Sequence, residues 1–320
     1  MIYLLLGLLC ILIAACCVGF FCFRFAIVRY KGLAAKHQEK SRANTTNLIL
    51  RENKDVMEAG AAWLHGQMCE QVRITSYDGL RLTGYFLPNG DSERTIILMH
   101  GYRSTPEYDL SVAFRFFYEQ GFNLLICHQR AHCKSEGKYI CYGVKERFDC
   151  RDWARYLAER FGPRHEIALD GISMGASTVL MASGLDLPPQ VKCVIADSGF
   201  TSPWEEIGFV IRHDYHLPPW PVRTLIDLFS KRFAGFGLRE YSTLDAMAVN
   251  KLPVLFIHGE ADGFVPCEMS RRAYAACRAE KRLVTVPGAN HGLSILVDFD
   301  TVSQAVSDFL KTYCKGDLQT

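Results

Sequence analysis

Short apolar runs alternate with stretches of helical spacing along most of this 320-residue chain. The runs "RTIILM", "HEIALDG", "VKCVIAD" and "LPVLFIHG" are largely apolar throughout, as expected of strands that are buried on both faces. Helical spacing appears between them, for example in "VKERFDCRDWARYLAERFG", which ends at a glycine. Because parallel strands need crossover helices, this alternation predicts a mostly parallel sheet covered by helices on both faces.

One antiparallel hairpin should precede that sheet. The stretch "QVRITSYDGLRLTGYFLP" contains two alternating runs around Asp78–Gly79, which is a hairpin signal. Further strands are predicted at "FNLLIC" and "RLVTVPG", and helices at "SRRAYAACRAEK" and "TVSQAVSDFLKTYC". These elements assign residues 69–320 to one α/β domain.

The N-terminal segment has a different character. Ile2 to Phe23 contains no charged residue, and as a helix it would be about 33 Å long, enough to cross a bilayer. A cleaved signal peptide usually has a basic start and a shorter apolar core, and this segment has neither. We therefore expect an uncleaved transmembrane anchor over residues 1–29. Residues 30–68 then form a tether that includes an amphipathic helix through Met57 to Leu64.

The flanking charges predict the orientation of the anchor. No lysine or arginine precedes the apolar segment, and six follow it: Arg24, Arg29, Lys31, Lys36, Lys40 and Arg42. The positive-inside rule then places the C-terminal domain in the cytoplasm. We expect a single-pass protein of the cell membrane. The odd number of cysteines beyond the anchor, nine, agrees with a reducing compartment.

Charge and motifs also exclude several kinds of partner. The net charge is +2, so no nucleic-acid-binding surface is indicated. No H-E-x-x-H sequence, P-loop or zinc-like cysteine spacing occurs, and no G-x-G-x-x-G follows a strand. We expect neither a metal nor a cofactor.

A serine lies between two glycines where a predicted strand meets a predicted helix. The sequence "GISMG", Gly171 to Gly175, follows the apolar run "EIALD" and precedes a run of small residues. A sharp turn at this position would raise the Ser173 side chain above the sheet and leave no room for a side chain at either glycine. The pattern therefore predicts a nucleophile elbow, with the start of a helix beneath the serine.

A serine nucleophile needs a base, and the base needs an acid. His291 lies in "VPGANHG" just after the last predicted strand, where a loop can carry it over the sheet edge. Asp262 lies in "IHGEADGFVP" after the preceding strand. Glu260 is the alternative acid, with Asp262 then a turn residue.

These motifs together resemble the α/β-hydrolase family, in its lid-bearing serine hydrolase branch of esterases and serine aminopeptidases. The resemblance covers roughly residues 70–313 and includes "HGY", His100 to Tyr102, which looks like the oxyanion loop of the family. It implies Ser173 as nucleophile, His291 as general base and Asp262 as the acid that orients it. It also implies an oxyanion hole formed by the backbone N–H groups of Tyr102 and Met174. The expected fold is thus an α/β-hydrolase fold with a helical lid insertion and an N-terminal transmembrane helix.

One segment departs from the family pattern. Members often carry "D-x-R-G-x-G-x-S" after the fourth strand, whereas this chain has "HQRAHCKS". Arg130 and Ser135 match, but Ala131 and Cys133 replace the two glycines. We expect a scaffold role for Arg130, and Cys133 either faces the pocket or packs.

Other polar residues near these motifs have plainer interpretations. His100 and His258 each precede a glycine and should shape loops. His213 and His216 should belong to the insertion, as packing or surface residues. Asp170, beside the elbow, should be a structural group.

Residues 200 to 250 interrupt the alternation with an aromatic-rich insertion, which is either a lid over a pocket or a separate packing layer. With a lid, we expect a serine hydrolase that cleaves carboxylic esters of apolar acyl groups through an acyl-enzyme. A serine aminopeptidase-like peptidase is the alternative, with Glu205 and Glu206 holding the free amine of a short peptide. A thioesterase, an acyltransferase and a membrane-tethered binding protein remain open.

Overall fold

A computed structural model describes residues 2–30 and 47–316 of the chain. Lys31, Lys36, Lys40 and Arg42, which contribute to the predicted orientation, lie outside the described residues, as does the first part of the predicted tether. The eight strands that the structure describes are β1 (Glu70–Thr75), β2 (Arg81–Leu87), β3 (Arg94–Met99), β4 (Asn123–Cys127), β5 (Glu166–Ile172), β6 (Val191–Asp197), β7 (Val254–Gly259) and β8 (Lys281–Val286).

The described α-helices are α1 (Ile2–Ile27), α2 (Leu48–Glu52), α3 (Lys54–His65), α4 (Pro106–Asp109), α5 (Ser111–Glu119), α6 (Glu146–Phe161), α7 (Met174–Ala182), α8 (Pro203–His213), α9 (Val222–Phe229), α10 (Thr243–Val249), α11 (Cys267–Ala276), α12 (Ser294–Val297) and α13 (Phe299–Tyr313). A π-helical turn, Ser230–Ala234, continues α9.

The strands form one sheet in the order β1-β2-β4-β3-β5-β6-β7-β8. β2 pairs antiparallel with both β1 and β4, and the pairs from β4 to β8 are parallel. This arrangement confirms the predicted α/β-hydrolase fold with its N-terminal hairpin. The carboxyl ends of the parallel strands meet at one edge, and the loops that leave this edge carry the candidate site.

Each face of the sheet is covered by a separate apolar core. On β3, Ile97 packs into the core that contains Trp153 of α6, whereas Ile96 packs into the core that contains Phe114 of α5. Alternation of side chains along a strand produces this division. Burial of each such side chain contributes about 1.5–3 kcal/mol, so the two cores fix the position of the strand ends.

The amphipathic helix of the predicted tether packs on the domain. It extends over Lys54–His65, longer than the predicted Met57 to Leu64, and Leu64 is buried in the core beside α5. A Cβ atom at Gly60 would lie 2.2 Å from the carbonyl oxygen of Ser111. Glycine is therefore required for α3 to approach the start of α5 this closely.

The insertion between β6 and β7 forms a packing layer with the end of α1. Its side chains Ile207, Ile226 and Phe236 share a third apolar cluster with Phe23 and Ile27 of α1. Phe23 is 2% exposed and Ile27 is fully buried. Thus α1, which is 26 residues long, has an exposed N-terminal part and a C-terminal part that belongs to the folded domain. By length and composition α1 could cross a membrane, a property that signal sequences share.

Two aspartates lie near the carboxyl ends of β5 and β6, Asp170 buried and Asp197 half-buried. Asp170 is 7% exposed, and burial together with the nearby Asp197 carboxylate raises its pKa to about 8, against a smaller opposing effect of the Gly171 backbone N–H. Burial also raises the pKa of Asp197, which accepts hydrogen bonds from the Ser198 and Ser294 hydroxyls at 2.8 and 3.3 Å. At neutral pH the folded protein therefore holds a proton at Asp170 that the unfolded chain has lost.

We expect the variant Asp170→Asn to become more stable relative to the wild-type protein as pH rises. An unfolded aspartate titrates near pH 3.9, so the wild-type protein loses stability between about pH 4 and pH 8, by at most about 1.4 kcal/mol per pH unit. The neutral amide removes this loss. Thermal unfolding of the full chain in detergent at pH 5 and pH 8 measures it. The exposed Asp91→Asn serves as the control, and equal pH dependence of Asp170→Asn and wild type would contradict the expectation.

Candidate active site

Ser173 lies in a strained turn between β5 and α7. Its φ and ψ angles are 58° and −118°, a conformation that side chains rarely adopt. A Cβ atom at Gly171 would lie 2.4 Å from the carbonyl oxygen of Gly175, and one at Gly175 would lie 2.0 Å from that of Met99. The turn is therefore possible only with glycine at both positions, and it raises the serine above the sheet edge.

The structure brings Ser173, His291 and Asp262 into one hydrogen-bonded row. Ser173 Oγ is 2.8 Å from Nε2 of His291, and Nδ1 of the same ring is 2.7 Å from Oδ2 of Asp262. With the proton on Nδ1, His291 donates to the carboxylate and accepts from the serine hydroxyl, which is the arrangement that a general base needs. The row joins loops that are 89 and 29 residues apart along the chain.

The Asp262 carboxylate is buried and fully engaged. Oδ1 accepts hydrogen bonds from the backbone N–H groups of Phe264 and Val265 at 2.9 and 2.8 Å, and Oδ2 faces His291 and His258. Burial alone would raise the pKa of Asp262, but the hydrogen bonds from the two histidines outweigh burial and hold it well below its usual range. The group is an anion throughout the neutral range.

His258 contacts Asp262, although the sequence predicted only that it shapes a loop. Its Nε2 is 3.1 Å from Oδ2 of Asp262 and 2.9 Å from the Val265 carbonyl, and its Nδ1 is 2.7 Å from the Ser270 hydroxyl. The ring is fully buried, so it fixes the acid and cannot reach the sheet edge. Glu260, the alternative acid, instead accepts from the Thr285 hydroxyl at 2.7 Å.

The loop after β3 is held beside Ser173 by two side chains. The Gly101 N–H donates to Oδ2 of Asp109 at 2.6 Å, and the Arg103 N–H donates to Nε2 of His132 at 2.9 Å. A Cβ atom at Gly101 would lie 3.2 Å from the Ser173 Cβ, so the loop passes directly against the nucleophile. Between these contacts lies Tyr102, whose backbone N–H is a predicted oxyanion donor. The second predicted donor, Met174, is the first residue of α7.

The C-terminal end of α1 contacts the same loop. Ala26 O accepts hydrogen bonds from the Tyr102 hydroxyl at 2.7 Å and from the Tyr142 hydroxyl at 3.3 Å. The Arg103 guanidinium donates to the carbonyl groups of Phe25 and Val28. Carbonyl groups at the end of a helix lack intrahelical partners, so these side chains cap α1 and fix it to the candidate oxyanion loop.

A mainly apolar cavity of about 270 Å³ opens beside Ser173 and His291. Its apolar walls come from α2 and α3, from α4 and α5, and from α12 and α13: Leu50, Met57, Leu110, Phe116, Leu296 and Val306. The insertion contributes no residue to this cavity, and its side chains Phe229 and Phe233 pack against α1 instead. The helices α2 and α3 of the predicted tether thus form part of the cavity wall.

The segment "HQRAHCKS" forms a scaffold outside the cavity. The buried Arg130 donates to the carboxylates of Asp149 and Asp78 at 2.6 to 3.1 Å. Ala131 and Cys133 have φ angles of 60° and 44°, a region that favours glycine, which fits the two glycines of the family pattern. Cys133 does not line the cavity.

The two insertion glutamates do not face the cavity either. Glu205 forms an ion pair with Arg272 and accepts from the Thr201 hydroxyl at 2.9 Å. Glu206 is 2% exposed, and neither of its carboxyl oxygens has a hydrogen-bond partner among the described residues. Burial raises the pKa of Glu206 well above its usual range and so favours its neutral form. Among the described residues, no cluster of side chains could hold a metal ion.

Comparison with known proteins places this geometry in a family. The sequence profile of the prolyl oligopeptidase family matches residues 109–317. The uncharacterized protein YqkD of Bacillus subtilis is 32% identical over 237 residues, which cover 74% of this chain and 77% of YqkD. Esterase LipC of Mycobacterium tuberculosis is 28% identical over 157 residues, which cover 45% of this chain and 39% of LipC.

The solved structures agree with the family match. The esterase Pf2001 of Pyrococcus furiosus superposes with a TM-score of 0.63 and 26% sequence identity, covering 77% of this chain and 92% of the esterase. The matched region contains the strand–turn–helix around Ser173 and the loops of Asp262 and His291. The chain therefore belongs to the prolyl oligopeptidase family and is a serine hydrolase with the α/β-hydrolase fold.

Proposed function

We propose that the protein hydrolyses carboxylic esters of apolar acyl groups through an acyl-enzyme formed on Ser173. The observation that carries this proposal is the hydrogen-bonded row of Ser173, His291 and Asp262 at the mouth of an apolar cavity. The similarity to the esterases Pf2001 and LipC supports the choice of an ester substrate.

The proposed reaction begins with attack of Ser173 Oγ on the ester carbonyl carbon, while the serine proton passes to Nε2 of His291. The oxyanion accepts hydrogen bonds from the backbone N–H groups of Tyr102 and Met174. His291 then returns the proton to the leaving alcohol as the ester C–O bond breaks. Asp262 keeps Nδ1 protonated and stabilises the charged ring.

Deacylation repeats these steps with water. His291 takes a proton from the water, the hydroxide attacks the acyl carbon, and the bond from Ser173 Oγ to that carbon breaks. The carboxylic acid leaves, and His291 returns the proton to the serine. The start of α7 beneath Ser173 favours the negative charge that develops in both steps.

Apolar lining of the cavity supports an apolar acyl group. Removal of apolar surface from water contributes about 25 cal/mol per Å², so a chain that reaches Leu50 and Met57 gains affinity with its length. The buried Asp170 and the half-buried Asp197 also border the cavity. Burial raises the pKa of both acids, which favours the neutral forms that an apolar chain tolerates.

A serine aminopeptidase-like activity is the second candidate, and the family assignment favours it. It would need an anionic group for the free amine of a peptide. Glu205 is engaged with Arg272 and Glu206 is buried in the insertion, so neither is placed to serve this purpose. We therefore rank ester hydrolysis above peptide hydrolysis, and thioester hydrolysis and acyl transfer stay open.

We also propose that α1 anchors the protein as a single-pass helix in the cell membrane, with the hydrolase domain in the cytoplasm. The uncharged first 23 residues and the basic residues that follow support this proposal. Its test is carbonate extraction of membranes, and protease added to intact cells should leave the domain uncut.

We expect Ser173→Ala to lower kcat on the order of a millionfold with the fold retained, since the alanine fits the same turn. Loss of covalent labelling by a fluorophosphonate probe, at an unchanged melting temperature, measures this. Ser183→Ala, in the cap of α7, is the matched control and should keep full labelling. Asp262→Asn should lower kcat severely and Glu260→Gln only slightly. The reverse order would assign the acid to Glu260.

We expect Met57→Trp to lower kcat/KM for an octanoyl ester roughly tenfold more than for an acetyl ester, because the larger ring fills the apolar cavity. A series of p-nitrophenyl esters of increasing chain length measures this. Met68→Trp is the control, since Met68 is 93% exposed on the segment that follows α3. An equal loss for both esters would mean that the acyl chain does not occupy this cavity.

We expect butyryl and octanoyl esters to be cleaved with a higher kcat/KM than an aminoacyl anilide. The double variant Glu205→Gln/Glu206→Gln should leave this ratio unchanged, since neither glutamate faces the cavity. Preference for the anilide in the wild-type protein, abolished in the double variant, would overturn the esterase proposal in favour of the aminopeptidase.

A further inference from the structure

We propose that the insertion between β6 and β7 lies against the lipid bilayer, through a surface formed by Tyr215, Leu217 and Trp220. We call this surface the bilayer face. The proposal rests on the anchoring of α1 in the membrane and adds a second contact between the protein and the lipid.

The first observation is that the end of α1 is fixed to the domain. Beyond the side-chain caps on its last carbonyl groups, Val28 forms a β-bridge with Tyr139, and the Ile140 N–H donates to the Ile27 carbonyl at 2.8 Å. The Arg29 guanidinium donates to the carbonyl of Ser135 at 2.7 Å. Because these contacts leave α1 no freedom to swing, the position of the membrane relative to the domain is set by the helix.

The second observation is that α9 lies alongside α1. A Cβ atom at Gly19 would lie 2.6 Å from the Cβ of Leu225, and the Phe20 ring is 5.5 Å from that of Phe229. Phe229 also meets Phe23, with ring centroids 6.1 Å apart. The N-terminal end of α9, at Leu225, therefore points toward the N-terminus of α1.

The segment before α9 continues in that direction. Trp220 precedes Leu225 by five residues, so it is expected beside the turn of α1 that lies N-terminal to Gly19. Ala15 lies in that turn and is half-buried, whereas the other described side chains from Ile2 to Val18 are exposed. The insertion thus covers α1 at least to Ala15.

The length of α1 then requires contact with lipid. The hydrocarbon core of a bilayer is about 30 Å thick, or about 20 helical residues, whereas Ile2–Val18 spans only about 25 Å. A bilayer that covers this exposed part must extend to about Phe21. Side chains that flank α1 from Ala15 to Phe21 are therefore at the membrane boundary, and these belong to the insertion.

The composition of the bilayer face fits this location. Trp220 is 74% exposed, and Tyr215 and Leu217 are each 53% exposed, which is unusual for a soluble surface but typical of the membrane interface. At the C-terminal end of α1, Arg24, Arg29 and Lys138 line a cleft together with aromatic side chains of α1. Cations at this level would meet the phosphate groups of anionic lipids.

A second copy of the chain could also cover an exposed apolar surface. The expected position of Trp220 beside α1 favours lipid, because any partner seated on Trp220 would have to share the surface of the membrane-spanning helix. The two occupants differ in whether lipid reaches the Trp220 ring.

The test uses the full chain in nanodiscs of phosphatidylcholine and phosphatidylglycerol, prepared with and without bromine near the head of the acyl chain. Bromine quenches tryptophan that contacts lipid. We expect the tryptophan emission of the wild-type protein to be lower in the brominated nanodiscs than in the others. In Trp220→Phe most of this difference should disappear. Trp153→Phe is the control, since Trp153 is 1% exposed in the core and should contribute nothing to the quenching.

Equal quenching in the wild-type protein and in Trp220→Phe would overturn the proposal. If Trp220→Asp converts a dimer into a monomer and leaves the quenching unchanged, the surface binds a second copy of the chain instead. Carbonate extraction of the same membranes tests the anchor separately from the bilayer face. Release of the protein by carbonate would refute the anchor, whereas a retained protein with unquenched Trp220 would refute the bilayer face alone.

Discussion

At Gly175 the first turn of α7 approaches the end of β3 so closely that any side chain would overlap the Met99 carbonyl. The candidate site depends on this contact. It forces the turn at Ser173 into its unusual backbone conformation, and it brings the start of α7 beside the loop that follows Met99. Because Tyr102 lies on that loop and Met174 begins the helix, both predicted oxyanion donors are positioned by one close approach of backbone to backbone.

The acid at the far end of the site is stabilised in a different way. Asp262 is a buried anion, and burial of an unpaired carboxylate would be costly. Two histidines and two backbone N–H groups offset that cost, and only His291 of these partners reaches the serine. His258 is the more deeply buried of the two rings and completes the environment that keeps the acid charged. The acid and its environment therefore act as one unit that orients His291.

The N-terminal helix connects the proposed membrane anchor to this machinery. Its last carbonyl groups accept hydrogen bonds from Tyr102 and Arg103, which belong to the loop that faces Ser173. The same end of the helix is buried beneath the insertion through Phe23 and Ile27. No flexible joint therefore separates Ile27, the last buried residue of α1, from the candidate oxyanion loop. With α1 as the proposed anchor, the fold would set the orientation of the candidate site toward the membrane.

Much of this fold can be predicted from the sequence, because strands, turns and helices have local sequence patterns. The apolar runs predicted the eight described strands, Asp78–Gly79 predicted the hairpin, and "GISMG" predicted the turn at Ser173. The spacing of residues along the sequence cannot reveal contacts between distant segments. Only the tertiary structure decided these contacts. It placed His258 on Asp262, made Leu50 and Met57 part of the cavity wall, and directed the aromatic insertion to α1 instead of that wall. The physical reason is that periodicity records which face of an element is buried, whereas the partner of that face depends on how the chain packs as a whole.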